Sequence, residues 1–168
     1  MTVIFCHGLE STPHGRKYQA LVTAGLDVVS PDFQGQNLAA RVATLESVLR
    51  TTADPVLVGS SYGGITAVCA AIRFVAAGGS LRGLVLCAPA LGHREPPADG
   101  MLLHPPAPTI IIHGIHDAIV PAAVSQAFAA AHPEVQLVLV DDEHQLAGSI
   151  EIIVAATRAM ALGLPFTP

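Results

Sequence analysis

Short apolar runs recur along the chain, and most of them show no alternation with polar residues. An uninterrupted apolar run indicates a strand covered on both faces, as in a parallel sheet between two layers of helices. Each run ends at Gly, Pro, His or Asp. The runs predict strands at residues 3–6, 28–29 continuing to 33, 56–58, 84–87, 109–112 and 135–140.

Patterns with helical spacing lie between these runs. The second of them begins at Asn37, a good N-cap residue, and places Leu38, Val42, Leu45 and Leu49 on one apolar face. The patterns predict helices over residues 14–24, 37–49, 62–77, 122–131 and 147–162. Because strands and helices alternate across short loops, we expect a three-layer αβα sandwich with a mostly parallel sheet of about six strands. No linker or repeat interrupts the pattern, so residues 1–168 are expected to form one domain.

Composition excludes two broad classes of protein. Of the 168 residues, 51% are hydrophobic and only 12% are charged, which argues against intrinsic disorder. The eight Lys and Arg residues are thinly spread and the net charge is -5, so no basic surface for a phosphate backbone is present. A nucleic-acid partner is therefore not expected.

Membrane association is not expected either. The longest stretch without a central charge, residues 55–72, has the polar and flexible segment 59–64 at its centre, whereas a spanning helix needs about 20 mostly apolar residues. The first residues have neither the positive charge nor the cleavage site of a signal peptide. Cys6, Cys69 and Cys87 lie in apolar runs and are odd in number, which indicates buried thiols in a reducing compartment. We therefore expect a cytoplasmic location.

A Gly-x-Ser-x-Gly motif at residues 59–63 follows a buried strand and precedes an apolar helix. A nucleophilic serine must project its hydroxyl from the end of a sheet on a very tight turn, where Gly59 and Gly63 avoid collision with the crowded backbone. Ser61 stands between the two glycines of the motif, and we predict it to be the nucleophile. Ser60 is the competing hydroxyl and is expected to be a structural neighbour.

A serine hydroxyl is a weak nucleophile without a base, and the base needs an orienting acid. Asp117 follows the strand predicted at residues 109–112, and His144 follows the strand predicted at 135–140. Both are therefore expected at the same edge of the sheet as Ser61, with His144 as the base and Asp117 as the acid. Asp142 is an alternative partner for His144, and Asp32 is a weaker one.

The segments that carry these residues resemble the α/β-hydrolase superfamily along nearly the whole chain. The segment HGL at residues 7–9 is similar to its oxyanion turn, GSSYGG at 59–64 to its nucleophile elbow, and HGIHDAIVP at 113–121 to its acid loop. Residues 7–13, together with GSS at 59–61, resemble small bacterial serine esterases of the uncharacterised-esterase type, which have no large lid. The resemblance implies a minimal α/β-hydrolase fold without a cap domain.

The resemblance also implies an oxyanion hole of two backbone N–H groups. One belongs to the residue after the nucleophile, here Tyr62. The other comes from the turn after the first strand, where Leu9 is expected and where Gly8 or Glu10 could take its place. Such donors stabilise charge that develops on the carbonyl oxygen in the transition state.

The sequence departs from the usual family pattern in its accessory elements. No strand is predicted ahead of residues 3–6, where such folds commonly have extra antiparallel strands, and residues 88–108 are Pro-rich and expected to be too short for a cap domain. A shallow, open site favours small or medium acyl groups. The apolar residues of this segment either form a wall of the site or seal the core; they are Leu91, Met101, Leu102 and Leu103.

Two further histidines have simpler explanations than catalysis. His7 and His113 each follow a strand and precede a glycine, so we expect structural histidines with satisfied ring nitrogens. Residues 113–117 contain two histidines and an aspartate, but no third or fourth ligand is near, so a metal site is not expected.

These residues together predict a serine hydrolase that cleaves carboxylic esters or thioesters through an acyl-enzyme on Ser61, without a cofactor. The expected partner is a small-molecule ester or thioester, and the sequence does not specify an oligomeric state. A thioesterase or an acyltransferase would use the same residues. A non-catalytic scaffold that binds a small molecule or a protein remains the alternative from another class, and a peptidase is a third.

Overall fold

Six strands and five helices make up the computed structural model, which describes residues 1–168. The strands are β1 (Thr2–Cys6), β2 (Asp27–Val29), β3 (Val56–Ser60), β4 (Gly83–Cys87), β5 (Thr109–Gly114) and β6 (Gln136–Val140). The helices are α1 (Arg16–Thr23), α2 (Leu38–Leu49), α3 (Tyr62–Ala76), α4 (Ala122–Ala131) and α5 (Ile150–Leu162). A helix follows every strand except β4, after which residues 88–108 lead to β5 without a helix or strand.

The strands form one sheet in the order β2-β1-β3-β4-β5-β6. Every neighbouring pair is parallel, which confirms the predicted α/β fold and makes the sheet entirely parallel. The carboxyl ends of all six strands therefore lie at one edge, where ligand sites of open α/β sheets are built.

The two faces of the sheet are covered by different helices. Along β1, Ile4 and Cys6 belong to an apolar cluster with α2, α3 and α4, whereas Val3 and Phe5 belong to a second cluster with α1 and α5. The alternation follows from the pleat of the strand, which directs successive side chains to opposite faces. Burial on both faces explains why the central strands are continuous apolar runs in the sequence.

The end of β2 differs from the sequence prediction. The strand ends at Val29 and does not continue to Phe33. The Ser30 hydroxyl donates to the Phe5 carbonyl oxygen (3.1 Å), and Pro31 has no backbone N–H that could hydrogen-bond to the neighbouring strand. The chain therefore leaves the sheet here and turns toward the carboxyl end of β1.

Helix α5 begins three residues later than predicted, at Ile150. The Asp142 carboxylate accepts hydrogen bonds from the Gly148 N–H (2.9 Å) and the Ser149 hydroxyl (2.8 Å). These bonds hold residues 146–149 in a turn, with Leu146 at φ 52°, and helical geometry starts only after it.

The three cysteines are buried and form no disulfide. Burial raises the pKa of Cys6 to about 12 and those of Cys69 and Cys87 to about 11, so the thiols stay protonated and unreactive near neutral pH. None of the helices combines the length and the hydropathy needed to cross a bilayer.

Candidate active site

Ser61 occupies the sharp turn between β3 and α3. Its backbone has φ 54° and ψ -118°, a strained conformation that costs about 1–3 kcal/mol for a residue with a side chain. A Cβ on Gly59 would lie 2.7 Å from the Gly63 carbonyl oxygen, and one on Gly63 would overlap the Cys6 carbonyl. The two glycines of the motif are therefore required by the close approach of three backbone segments, as the sequence predicted.

The structure brings together the three residues predicted from separate parts of the sequence. Ser61 Oγ lies 3.0 Å from His144 Nε2, and His144 Nδ1 lies 2.7 Å from Asp117 Oδ2. Because an ionised carboxylate only accepts hydrogen bonds, His144 carries its proton on Nδ1, and Nε2 accepts the Ser61 hydroxyl proton. This is the geometry in which a histidine can act as a general base toward serine. Ser60 makes no such contact.

Asp117 is held by four donors at the bottom of the site. Its side chain is fully buried, and Oδ1 accepts the N–H groups of Ile119 and Val120 at 2.8 Å each. Oδ2 accepts from His144 and, at 3.2 Å, from His113 Nε2. Burial alone would raise the pKa of Asp117, but the hydrogen bonds from His144, Val120 and Ile119 outweigh it and hold the pKa below its ordinary value. The carboxylate is thus ionised where His144 needs it.

His113 forms a second buried layer behind the acid. Its Nε2 lies 2.8 Å from the Val120 carbonyl oxygen, which can only accept, so this nitrogen carries a proton that Asp117 shares. In the neutral ring, Nδ1 then accepts from the Ser125 hydroxyl at 2.7 Å. Both ring nitrogens are satisfied, which agrees with the structural role expected for His113.

The loop that carries His144 is anchored on both sides. Asp142 accepts from the Glu143 N–H (2.8 Å) and from the turn before α5, and it makes no hydrogen bond with His144. Lys17 Nζ on α1 donates to the Gln145 carbonyl oxygen at 2.7 Å. Asp142 therefore shapes the loop, and Asp117 is the acid that contacts the imidazole.

The turn after β1 packs directly against Ser61. A Cβ on Gly8 would lie 3.6 Å from Ser61 Cβ, and the side chain of Leu9 is 59% exposed beside the site. The backbone N–H groups of Leu9 and Tyr62 donate to no protein acceptor, which is what an oxyanion hole requires. The same holds for the N–H groups of Gly8 and Glu10, so the choice of Leu9 within this turn stays a prediction.

His7 fixes the start of that turn. Its buried ring accepts the Phe33 N–H at Nε2 (2.9 Å), so Nδ1 carries the proton and donates to the Gly8 carbonyl oxygen (2.8 Å). Burial also lowers the pKa of His7, which keeps the ring neutral. Asp32 Oδ1 is 3.8 Å from His7 Nε2, and the Nδ1 of His144 is bound by Asp117 instead, so Asp32 is not an alternative acid in this geometry.

Residues 88–108 cover one side of the site and are tied to α3 through Glu95. The Tyr62 hydroxyl donates to Glu95 Oε2 at 2.6 Å, and His93 contacts the same oxygen at 3.1 Å. Burial and the Glu95 interaction raise the pKa of Tyr62 to about 12, so the phenol remains the donor. Leu91, Met101 and Leu103 pack on the core, while Leu102 is 82% exposed.

The sequence analysis missed three polar residues of this network: Arg41, Glu95 and Ser125. For Arg41 a signal existed, because it lies three residues after Leu38 and four before Leu45, on the face predicted to be buried. For Glu95 and Ser125 no periodic pattern marks the position.

Two surface grooves lie away from Ser61, one between α1 and α5 and the other beside the carboxyl end of α2. No three His, Cys, Asp or Glu side chains in the structure are arranged to hold a metal ion.

The strand order and the Ser61 turn are those of the alpha/beta hydrolase family, whose sequence pattern matches residues 3–164, and the chain belongs to that family. A similar solved structure is a protein described as a member of the alpha/beta superfamily from Xanthomonas campestris pv. campestris. It is 27% identical with a TM-score of 0.81, and the match covers 97% of this chain and 98% of that chain.

Two other structures show the same fold at lower identity. A lidless α/β serine hydrolase from Xanthomonas campestris is 22% identical, with a TM-score of 0.74 and coverage of 99% of this chain and 84% of that chain. Est1E from Butyrivibrio proteoclasticus is 19% identical, with a TM-score of 0.79 and coverage of 96% and 87%. Comparison with curated proteins gives no match.

Proposed function

We propose that residues 1–168 form a single-domain serine hydrolase that cleaves carboxylic esters or thioesters of small to medium acyl groups. The observation that carries the proposal is the continuous hydrogen-bond chain from Ser61 Oγ through His144 to Asp117 Oδ2. It begins at a strained strand-to-helix turn that exposes the hydroxyl, and it ends at a buried carboxylate held ionised by four donors.

In the first half-reaction Ser61 Oγ attacks the acyl carbon while His144 Nε2 takes the hydroxyl proton. The tetrahedral intermediate carries its negative charge on the former carbonyl oxygen, next to the unpartnered N–H groups of Tyr62 and Leu9. Asp117 stabilises the imidazolium and keeps its orientation. The bond to the leaving group then breaks, and His144 returns the proton to the departing alcohol or thiol.

In the second half-reaction water replaces the alcohol or thiol. His144 takes a proton from water, the resulting hydroxide attacks the acyl carbon, and the ester bond to Ser61 breaks as the proton returns to Oγ. The products are a carboxylic acid and the regenerated enzyme. Every proton transfer uses His144, so no cofactor is required by this scheme.

The surroundings of Ser61 support small or medium acyl groups. Of the apolar residues in 88–108, Leu91, Met101 and Leu103 pack on the core and Leu102 is largely exposed, so this segment offers little apolar wall for a long acyl chain. Est1E has been solved with ferulic acid bound, so hydroxycinnamate esters belong in a substrate panel beside short aliphatic esters and thioesters.

Covalent labelling with a fluorophosphonate probe tests the proposal directly. Wild type, Ser61→Ala and the neighbouring control Ser60→Ala are treated together, and the modified residue is located by mass spectrometry. We expect labelling at Ser61 in wild type and in Ser60→Ala, and none in Ser61→Ala. Absence of labelling in folded wild-type protein would contradict the proposal and favour a non-catalytic binding scaffold.

A panel of esters and thioesters of graded acyl length then defines the substrate class. Single-turnover release of the alcohol or thiol measures acylation, and addition of acceptor alcohols separates hydrolysis from acyl transfer. A product ester that exceeds the acid product at low acceptor concentration would indicate an acyltransferase.

A further inference from the structure

Arg41 is a fully buried arginine on α2 that contacts the start of the turn after β1. Its Nη1 donates to the His7 carbonyl oxygen at 3.0 Å, and its Nε donates to the Gln36 carbonyl oxygen at 3.2 Å. The guanidinium also lies over two aromatic rings, at 4.8 Å from the centre of Tyr62 and 5.5 Å from that of Phe33. An arginine with 0% exposure is rare in proteins unless its charge is paired.

The charge of Arg41 has no such pair. No carboxylate oxygen lies within 4.0 Å of the guanidinium, and Nη2 makes no hydrogen bond. The carboxylates of Asp32 and Glu95 act on it only through longer-range electrostatic attraction. Glu95 is bound instead by the Tyr62 hydroxyl and His93, and Asp32 accepts the Gln34 N–H. A guanidinium stays protonated, so the site retains a buried positive charge whose desolvation costs stability.

The positive charge of Arg41 lies near the proposed oxyanion hole. Arg41 contacts both parts of the proposed oxyanion hole. Its guanidinium donates to the carbonyl of His7, where the turn with Leu9 begins, and it lies over the ring of Tyr62. Negative charge develops between those donors only in the transition state. In a buried environment of low polarity, a nearby positive charge acts on that oxyanion more strongly than it would in water.

We infer that Arg41 is a positioning residue for the oxyanion hole, which holds the turn after β1 through the His7 carbonyl and adds a fixed positive potential to it. The inference rests on the proposed hydrolase function. Arg41 itself does not touch the substrate, and it acts through His7 and Tyr62.

The test uses variants of Arg41 that differ in side-chain charge, hydrogen-bond donors and length. Arg41→Met removes both the charge and the donors, Arg41→Lys retains the charge, and Arg41→Gln retains an N–H donor without charge. Arg50→Met, at the exposed end of the same helix, controls for the loss of one positive charge. Circular dichroism and thermal melting establish that each variant is folded. The readouts are kcat and KM for p-nitrophenyl acetate and the inhibition constant of phenylboronic acid, whose serine adduct is tetrahedral and anionic.

We expect Arg41→Met to lower kcat by tenfold to a hundredfold with KM changed less than threefold, and to weaken phenylboronic acid by a similar factor. Arg41→Lys should recover most of this loss, and Arg50→Met should match wild type. If the methionine variant does not fold, the decision rests on lysine being more active than glutamine.

Four results would overturn the inference. If folded Arg41→Met has the kcat and the boronate inhibition of wild type, Arg41 neither positions the turn nor adds a potential that affects the reaction. If this variant changes only in KM, Arg41 has no effect on the transition state. Glutamine at least as active as lysine would exclude the electrostatic contribution. Wild-type protein that neither turns over the ester nor reacts with the fluorophosphonate probe would refute the proposed function and this inference together.

Discussion

Replacing Asp117 with asparagine is the substitution whose outcome the geometry specifies most completely. Oδ1 accepts two backbone N–H groups, from Ile119 and Val120, so an asparagine must place its amide oxygen there. Its NH₂ group then takes the position of Oδ2 and faces His144 Nδ1. His144 must accept at Nδ1 and carry its proton on Nε2, which points at Ser61 and leaves no base for the hydroxyl.

The expected loss is large because the wrong tautomer removes the base without moving the ring. For a Ser-His-Asp site this loss is about 10⁴-fold in kcat, which equals about 5 kcal/mol of transition-state stabilisation. The NH₂ group also meets the His113 Nε2–H, which the Val120 carbonyl keeps in place. That donor–donor contact should cost about 1–3 kcal/mol of unfolding free energy.

Steady-state kinetics with p-nitrophenyl acetate and urea unfolding measure the two effects separately. Asp141→Asn is the matched control, since the Asp141 side chain is 90% exposed in the same loop as His144 and contacts His116 instead. We expect its kcat to stay within about threefold of wild type, because the triad contacts are untouched. The reasoning would be refuted by Asp117→Asn retaining more than a tenth of wild-type kcat, or by Asp141→Asn losing as much activity as Asp117→Asn.

Three further predictions concern the residues that support the site. His113→Leu removes a donor from Asp117 and orphans the Ser125 hydroxyl, so we expect a loss of about 1–3 kcal/mol in urea unfolding and a lower kcat, with Ser125→Ala less affected. Equal stability of His113→Leu and wild type would contradict this. Gly63→Ala introduces a methyl group into the Cys6 carbonyl, so we expect at least about 1–3 kcal/mol of destabilisation, measured by thermal melting. Asp117, Asp142 and Glu95 each have a pKa below the ordinary value, so the unfolded chain binds more protons as the pH falls. Their stabilisation is fully present above the unfolded values of 3.8 and 4.5 and is lost below them. The melting temperature should therefore fall steeply when the pH drops below these values. A melting temperature that stays constant down to pH 3 would contradict the lowered pKa values of these carboxylates.

The sequence was sufficient to predict the sheet and the placement of three residues at its carboxyl edge, because each prediction depends only on neighbouring residues in the chain. Ser61, Asp117 and His144 each lie within a few residues of the end of an apolar run, and parallel strands bring the ends of such runs to one edge. The end of β2 was not predictable in the same way, because it depends on a hydrogen bond between Ser30 and the carbonyl of Phe5 on another strand.

The polar contacts behind the site were beyond sequence analysis for a related reason. Glu95 meets Tyr62 across 33 residues of chain, and Arg41 meets His7 across 34, so neither pair has a periodicity that could reveal it. An arginine at a position of the apolar stripe of α2 conflicts with burial, and the conflict is visible in the sequence. The role of Arg41 could be inferred only from the structure, which shows the groups that its guanidinium contacts.

A strained backbone and an unpaired buried charge both adjoin Tyr62. Ser61, which precedes it, holds an unfavourable backbone conformation, and Arg41, which lies over its ring, has a buried charge without a partner. Most of the interior consists of two apolar clusters that follow the local rules of strands and helices. Features that cost stability persist where function selects them, since sequences optimised for stability alone would remove them. The backbone N–H of Tyr62 is unpartnered, and the proposed reaction develops negative charge there. The buried charge of Arg41, 4.8 Å from the centre of the Tyr62 ring, is therefore an argument for the site that does not depend on the serine motif.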